Sequence, residues 1–589
     1  MTQTIASTSG AAVEPDKAVA TWLEPFGEAI AARDIDAVLE HFAADSWWRD
    51  LVAMSWDLTT VRGAEQMRPF LQQNLARSGI TNFTLSEESA PDYVDNGDGT
   101  GFVQALLKFG TDVGWGFAVV RLIEVDGRWT AYSLMTALQE LDGRELPVGP
   151  ARPIGERVPG QTWGRSRGEA LEFEQDPDVV ILGAGHAGLS ATAYLQLMGV
   201  DALALERNAS VGDVWRNRYD PLVLHDPIWL DQLPFMPFPE TWPVYTPKDK
   251  LADWLEIYAK ALDLNVWTST ELVSAEFSVD EGRWALEVRR GDGSVRHMRP
   301  RHFVMAVGLM NIPHAPEFEG RTEFAGKVLH TSEYTNGGHW KGKKAIVVGT
   351  GNSGHDVAKD LADQGASVTM MQRSPTYVMT QKYSQGFLNG PAYTATGPDI
   401  HIADLMQIAT PFGQMLEMAP QITSHMGELD REVTDGLKAA GFQVDDGSVS
   451  GGLIGLGLGV ANGIAGGYLI DVGSAQYIID GKIGVATGEI RRFVPEGIEL
   501  VDGTLLEADL VILATGFKPP SESVRQILGD KIADACGPVW GVDEGNELNA
   551  MWRPCGQPNL WISAGSFPYS RIYNRFLALQ IAADLDDIK

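Results

Sequence analysis

Cysteine is nearly absent: 589 residues hold two, Cys536 and Cys555. That excludes a disulfide framework and a cysteine-rich zinc site, and it suits a reducing cytosol. No metal site is expected. Positive charge is also scarce. Lys and Arg number 46 against 78 Asp and Glu, a formal net charge of −32. A surface this acidic repels phosphate backbones and anionic headgroups, so neither nucleic acid nor a membrane is an expected partner. The first 15 residues have no basic start and no apolar run, so no signal peptide is read there and a cytoplasmic location is expected. The glycine-rich stretch 451–467 carries Asn462 and spans under about 20 residues, short for a membrane helix, and reads as a packed segment. What remains is ordinary globular material, 44% hydrophobic and 21% charged. A chain this long predicts three or four folding units.

After a tail over 1–16 that is expected to be disordered, Ala18, Trp22, Leu23, Phe26 and Ile30 recur at helical spacing. Beyond a turn at Asp34, Val38, Leu39 and Phe42 continue it, so residues 17–45 read as helix, with a second helical patch at 67–75. From Phe102 the texture becomes alternating runs over 102–109, 115–125 and 129–138, broken by the Asp126-Gly127 turn. Helices followed by an antiparallel meander predict a small α+β cone over 17–146. Its segments ARDIDAVLEHFAAD (32–45) and GAEQMRPFL (63–71) resemble the SnoaL-like, nuclear-transport-factor-like family. The resemblance implies either a catalytic pocket or a dimerising and positioning module, hence a homodimer through this domain. His41, Asp45, Arg49 and Asp50 are the pocket candidates, although helix caps and solvated charges explain such a group more often. Trp47, Trp48, Trp56 and Trp115 read as core or pocket wall. Residues 147–176, with their prolines and glycines, read as a linker.

The rest of the chain has another rhythm: β-branched runs, then glycine turns, then helices, as in parallel sheets wound by βαβ units. DVVILGAGHAGLSATAYLQLMGVDALALERN (178–208) supplies a buried strand, a glycine loop, a helix and a second strand ending in Glu206. Gly183 permits the tight turn, Gly185 lets a pyrophosphate approach the backbone, and Gly188 lets helix and strand lie close. The helix start offers free N–H groups to phosphates, and Glu206 can accept two ribose hydroxyls. A glycine turn in any α/β protein is the plainer reading of GxGxxG alone. Strand, helix and terminal acid together point to a dinucleotide without a 2′-phosphate, FAD or NAD.

KKAIVVGTGNSGHDVAKDLADQGASVTMMQRSP (343–375) repeats the device with Gly349, Gly351 and Gly354. Where the first copy has Glu206, this one has Arg373 and Ser374. A guanidinium pairs bidentately with a 2′-phosphate that a carboxylate would repel, which assigns NADPH here, an ordinary surface arginine being the alternative. Two dinucleotide sites of opposite preference imply hydride passing from nicotinamide to flavin. No cysteine pair follows either loop, so a disulfide reductase is not expected. The fold class is therefore α/β, with two Rossmann-like dinucleotide-binding domains, for FAD and NADPH, preceded by the small α+β cone-like domain. The expected boundaries are 177–312 and 506–589 for the two parts of the FAD domain and 313–505 for the NADPH domain. Segment 380–470 would shape the substrate entrance.

Around the loops, GDVWRNRYDPLVLHDP (212–227), LPFMPFP (233–239), FAGKVLHTSEY (324–334) and LVILATGFKP (510–519) resemble flavin-containing monooxygenases, most closely their YUCCA-type branch. The resemblance extends over about 177–585. It implies FAD on Gly183, Gly185, Gly188, Glu206, Trp215 and Arg216, and NADPH on Gly349, Gly351, Asn352, Ser353, Gly354, Arg373 and Ser374, with Gly516 on the return strand. Taken alone, Trp215 reads as a core aromatic. Phe324, Gly326, His330 and Tyr334 fit the family fingerprint, with His330 and Tyr334 as catalytic candidates; a satisfied structural histidine is the equal alternative for His330. Asp226 falls where animal-type relatives have an asparagine facing the flavin, a third candidate that could repel or shuttle protons. The implied activity inserts one oxygen atom from O2 into a small organic substrate through a C4a-(hydro)peroxyflavin. Baeyer–Villiger insertion and oxidative decarboxylation of a 2-oxo acid are its variants, and a non-catalytic redox-sensing flavoprotein is the alternative of another class.

Overall fold

A proline in the first turn and an apolar stripe of Ala18, Val19, Trp22, Phe26, Ala29 and Ile30 make Pro15–Ala32 a one-sided helix. A computed structural model describes residues 13–588 except 98, 156–159, 389, 391 and 448–466. The tail expected over 1–16 is thus helical at its end, and 1–12 lie outside the described residues, as do 451–466 of the glycine-rich stretch. Asp34 caps the short helix Ile35–Leu39 by accepting from the Ala37 N–H. The helix expected as far as 45 stops there. Phe42–Leu51 is a strand, because its aromatic residues pair in register with Arg128–Leu141 and Leu58–Arg62.

That strand belongs to a seven-stranded sheet running Leu58–Arg62, Phe42–Leu51, Arg128–Leu141, Gly114–Val125, Gly101–Thr111 and Thr81–Leu85, with Asp92–Asp95 beside Gly101–Thr111. Trp22, Phe26, Phe42, Trp48 and Phe83 fill the space between this sheet and its helices, with ring centroids 4.3 to 6.4 Å apart. The interior that could have been a pocket is packed with aromatic rings. The four polar candidates are not bunched at a helix end either. Asp45, Arg49 and Asp50 sit on the strand and His41 just before it, and their side chains go separate ways: Asp45 to Arg62, Asp50 to Thr136 and Ser55, Arg49 out of the unit altogether. The expected linker 147–176 is partly built: Thr162 caps the helix Trp163–Glu172, and Phe173 packs edge-on to Trp267.

Two parallel sheets follow. The first runs Val266–Trp267, Ala202–Leu205, Val179–Leu182, His302–Met305, Leu560–Ile562; the second runs Lys327–His330, Leu510–Leu513, Lys344–Val348, Ser367–Gln372, Ile483–Thr487. Each carries a three-stranded antiparallel flap, and the helix Phe567–Leu585 lies on His186–Leu197. Leu510–Leu513 pairs with Lys344–Val348 and Lys327–His330, so it belongs to the second sheet and the boundary expected at 505/506 falls later. The order of both sheets places each glycine loop at the carboxyl end of a central strand, where doubly wound folds bind ligands. Among the described residues no helix is long and apolar enough to cross a membrane.

Candidate active site between two glycine loops

Each loop is forced by backbone contact. Gly183 and Gly349 sit at φ +104° and +112°; a Cβ on Gly188 would lie 1.9 Å from the Gly183 carbonyl oxygen, and one on Gly354 would lie 2.3 Å from that of Gly349. Gly185 differs, because a Cβ there would meet nothing within 4 Å, and at Gly351 only the Tyr468 carbonyl at 3.6 Å. Backbone is therefore open to a ligand at the middle glycine of both loops. The helices that follow, His186–Leu197 and Asn352–Asp363, have no side-chain cap, which leaves their first N–H groups directed at that space.

Both loops open onto one cavity of about 1800 Å³. Gly183, Gly185, Glu206 and Trp215 line it from the first half of the nucleotide-binding region, Gly349, Gly351, Asn352, Ser353, Gly354, Arg373, Ser374 and Gly516 from the second, and Asp226 lines it too. Glu206 is buried and accepts from the Ala184 and Asn208 N–H groups. Arg373 is exposed, and no hydrogen bond or ion pair engages its guanidinium among the described residues.

Four expected site residues stand off the wall. Gly188 acts through helix packing. The Arg216 guanidinium is held by Asp213, Asp253 and Glu256, and Arg218, two residues on, faces the cavity instead with its buried Nε lacking a partner. His330 is buried, bonded through Nε2 to the Gly516 carbonyl at 3.0 Å and through Nδ1 to Ser332 at 2.9 Å. Burial outweighs the Gly516 bond and keeps its pKa below the ordinary value. Tyr334 donates to Asp360 at 2.5 Å in the core, and burial followed by that bond pushes its phenol up. Both tie parts of the second sheet together, and neither lines this cavity.

Farther in, the wall changes character. Tyr377, Met379, Phe412, Met415, Ile422, Met426, Tyr468, Tyr569 and Tyr573 make an aromatic and thioether bowl. Asp231 lines it with Asp226. Burial, then the Asp226 charge, push the Asp231 carboxyl well above the usual carboxylate range against the pull of Arg571. The N-terminal unit contributes Arg49. Its guanidinium bonds both Glu547 oxygens at 2.7 Å, the Tyr573 hydroxyl at 2.9 Å and the Ile408 carbonyl at 2.7 Å, and Thr60 donates to Glu547 at 2.6 Å. Arg121 bonds Thr410 and the Met406 carbonyl. Asp231 and Arg218 were not among the expected site residues, and Arg49, expected as a pocket candidate of the N-terminal unit, lines this cavity instead; Asp231, five residues past Asp226 in one loop, carried a local signal.

A model described as flavin-binding monooxygenase-like matches residues 177–390. Indole-3-pyruvate monooxygenase YUCCA1 of Oryza sativa subsp. japonica is 32% identical over 357 residues, 60% of this chain and 80% of that protein. The chain belongs to the flavin-binding monooxygenase-like family. It is a flavin-dependent, oxygen-inserting monooxygenase. The probable indole-3-pyruvate monooxygenase YUCCA3 of Arabidopsis thaliana is 33% identical over 344 residues, 58% of this chain and 72% of its own. An ε-caprolactone-bound cyclohexanone monooxygenase structure superposes at TM-score 0.50 with 20% identity, over 70% of this chain and 88% of that one, and shows the shared fold. The family model begins beyond the N-terminal unit, so the part of the monooxygenase that supplies Arg49 lies outside the matched region.

Proposed function

We propose that the monooxygenase holds FAD on its first glycine loop and NADPH on its second, and oxygenates a small, largely apolar substrate in the aromatic bowl that adjoins both. The observation that carries this reading is continuity: Gly185 and Gly351, the two open backbone positions, line a single cavity. When bound, the flavin takes a hydride from the nicotinamide and activates dioxygen. Everything else falls to the chain. Gly183, Gly185 and the N–H groups of the His186 helix hold a pyrophosphate, and Glu206 accepts from ribose hydroxyls. Gly351, Asn352 and Ser353 do the same for the second nucleotide, while Arg373 and Ser374 take the 2′-phosphate. The unpartnered Nε of Arg218 is an orphaned buried donor that an anionic cofactor would satisfy. Gly188, Gly354, His330 and Tyr334 set the positions of these groups.

Asp231 holds a proton beside the bowl, since its burial and the charge of the neighbouring, half-buried Asp226 disfavour its ionised form. Phe412, Tyr569 and Tyr573 exclude water from it. The N-terminal unit, read as a SnoaL-like α+β cone, serves here as a wall and a clamp. Its sheet face meets 406–412 and the C-terminal helix through Arg49, Arg121 and Ser133, so a homodimer through this domain would use another face. A cytoplasmic location, where reduced nicotinamide is supplied, is part of this reading.

The names of the relatives favour a second reading, a 2-oxo acid such as indole-3-pyruvate. The bowl suits the ring, but a carboxylate would face Asp226 and Asp231, and the Arg49 charge is already matched by Glu547. Incubation with NADPH and labelled dioxygen tests the two together, using an aryl alkyl thioether, an aryl ketone and indole-3-pyruvate. Label in the thioether or ketone product supports the apolar reading; turnover of indole-3-pyruvate alone overturns it.

A further inference from the structure

The chain's two cysteines are 19 residues apart in sequence, yet their sulfurs lie 3.1 Å apart. Cys536 ends the helix Asp530–Cys536, and Cys555 precedes the strand Leu560–Ile562. Backbone brings them together: Gly556 has φ +80°, and a Cβ there would lie 2.2 Å from the Ala535 carbonyl oxygen. The two segments thus meet at a distance only glycine allows, one residue away from each sulfur. Cys555 is buried and Cys536 half-buried, so the pair is reached from the Cys536 side. Either thiol can donate to the other across this contact, so loss of one proton leaves a thiolate held by its neighbour's S–H.

The loop between them serves the site. Trp540 stands on the cavity wall, Glu547 grips Arg49, and Arg553 bonds both carboxylate oxygens of Asp57 at 2.9 Å. The strut that holds the N-terminal unit against the bowl is therefore anchored in a segment whose two ends carry adjacent thiols.

We propose that Cys536 and Cys555 form a thiol–disulfide site oxidised by hydrogen peroxide or an organic hydroperoxide, and that the bond closes the 536–555 loop against the cavity. One thiolate of the pair attacks one peroxide oxygen and the O–O bond breaks, giving a sulfenic acid and hydroxide, or alkoxide, which takes up a proton. The other sulfur, losing its proton, attacks that sulfenic sulfur and expels water. With hydrogen peroxide, two thiols and one oxidant become one disulfide and two waters. In a reducing compartment a cytosolic disulfide of this kind is reversible and redox-sensing rather than structural.

The test uses the full FAD-loaded chain and hydrogen peroxide itself. Treatment should take the thiol count of the subsequently denatured protein from two to none and lower the intact mass by two hydrogens, with dithiothreitol reversing both. Cys536→Ser and Cys555→Ser should each abolish the two-hydrogen loss without forming a disulfide between chains. Amide hydrogen exchange across 537–554 should slow in the oxidised form. Thiols that survive saturating peroxide, or are lost with gain of oxygen or with a covalent dimer, would overturn the site. Equal exchange in the two forms would overturn its closing of the loop.

Discussion

The Arg49–Glu547 pair offers a quantitative test of how the N-terminal unit is joined to the flavin machinery. Both side chains are 1% exposed, and the guanidinium makes four hydrogen bonds, to Glu547, Tyr573 and Ile408. Arg49→Met keeps the apolar stem and removes the charge, leaving Glu547 buried with the Thr60 hydroxyl. Breaking a buried pair from one side costs about 3–5 kcal/mol, against about 5–15 kcal/mol for a whole domain. The docking of the N-terminal unit should therefore fail before either nucleotide domain does. Removing the orphaned carboxylate as well, in Arg49→Met/Glu547→Leu, should restore at least about 2 kcal/mol, because two apolar side chains of that size tolerate the dry site. Urea unfolding followed by tryptophan fluorescence reads this as a double-mutant cycle, with peroxide released per NADPH consumed as a second readout. Costs that add to within about 0.5 kcal/mol would refute the argument, since they would mean that the two charges do not depend on each other.

Asp50 gives a pH prediction. Its carboxyl is buried and pushed from 3.8 up to about 6, mainly by burial against its bonds from Thr136, Ser55 and Met54. Between those values the folded state holds a proton that the unfolded state has lost, so stability falls as pH rises from about 4 to about 6, by about 3 kcal/mol, and is flat above. Asp50→Asn should remove that slope in pH-dependent urea melts; an unchanged slope would assign it elsewhere. Arg373→Ala should raise KM for NADPH roughly tenfold and leave KM for NADH alone, as the loss of one charge-assisted bond requires; equal effects on both would deny the 2′-phosphate contact. Gly188→Ala places a methyl 1.9 Å from the Gly183 carbonyl, and should lower stability by about 1–3 kcal/mol and weaken flavin retention on a desalting column. Retention equal to that of the parent would show that the loop can yield.

The glycine loops were legible because each glycine answers a local demand, a turn at Gly183, an open approach at Gly185, a close helix at Gly188, and local demands leave a fixed spacing. Spacing carries no depth. His330 and Tyr334 fit a fingerprint, yet one is turned to the Gly516 carbonyl and the other to Asp360, partners 186 and 26 residues away. Arg218 rather than Arg216 lines the cavity because Asp253 and Glu256, from the helix Lys248–Ala261, claim the Arg216 guanidinium. Arg49 bonds a residue 498 positions on, which no reading of its neighbours could supply. The helix expected to reach 45 stopped early because strand pairing with Arg128–Leu141 overrides helical spacing. Leu510–Leu513 falls on the other side of the expected boundary because a buried parallel strand looks alike in either sheet.

Two nucleotides that meet across one cavity must exchange electrons without leaving the protein. Anaerobic mixing of the FAD-loaded chain with NADPH measures this most directly. The yellow flavin absorption should bleach in a single enzyme-bound step and return when oxygen is admitted. Flavin that keeps its colour while NADPH stays unoxidised would contradict it.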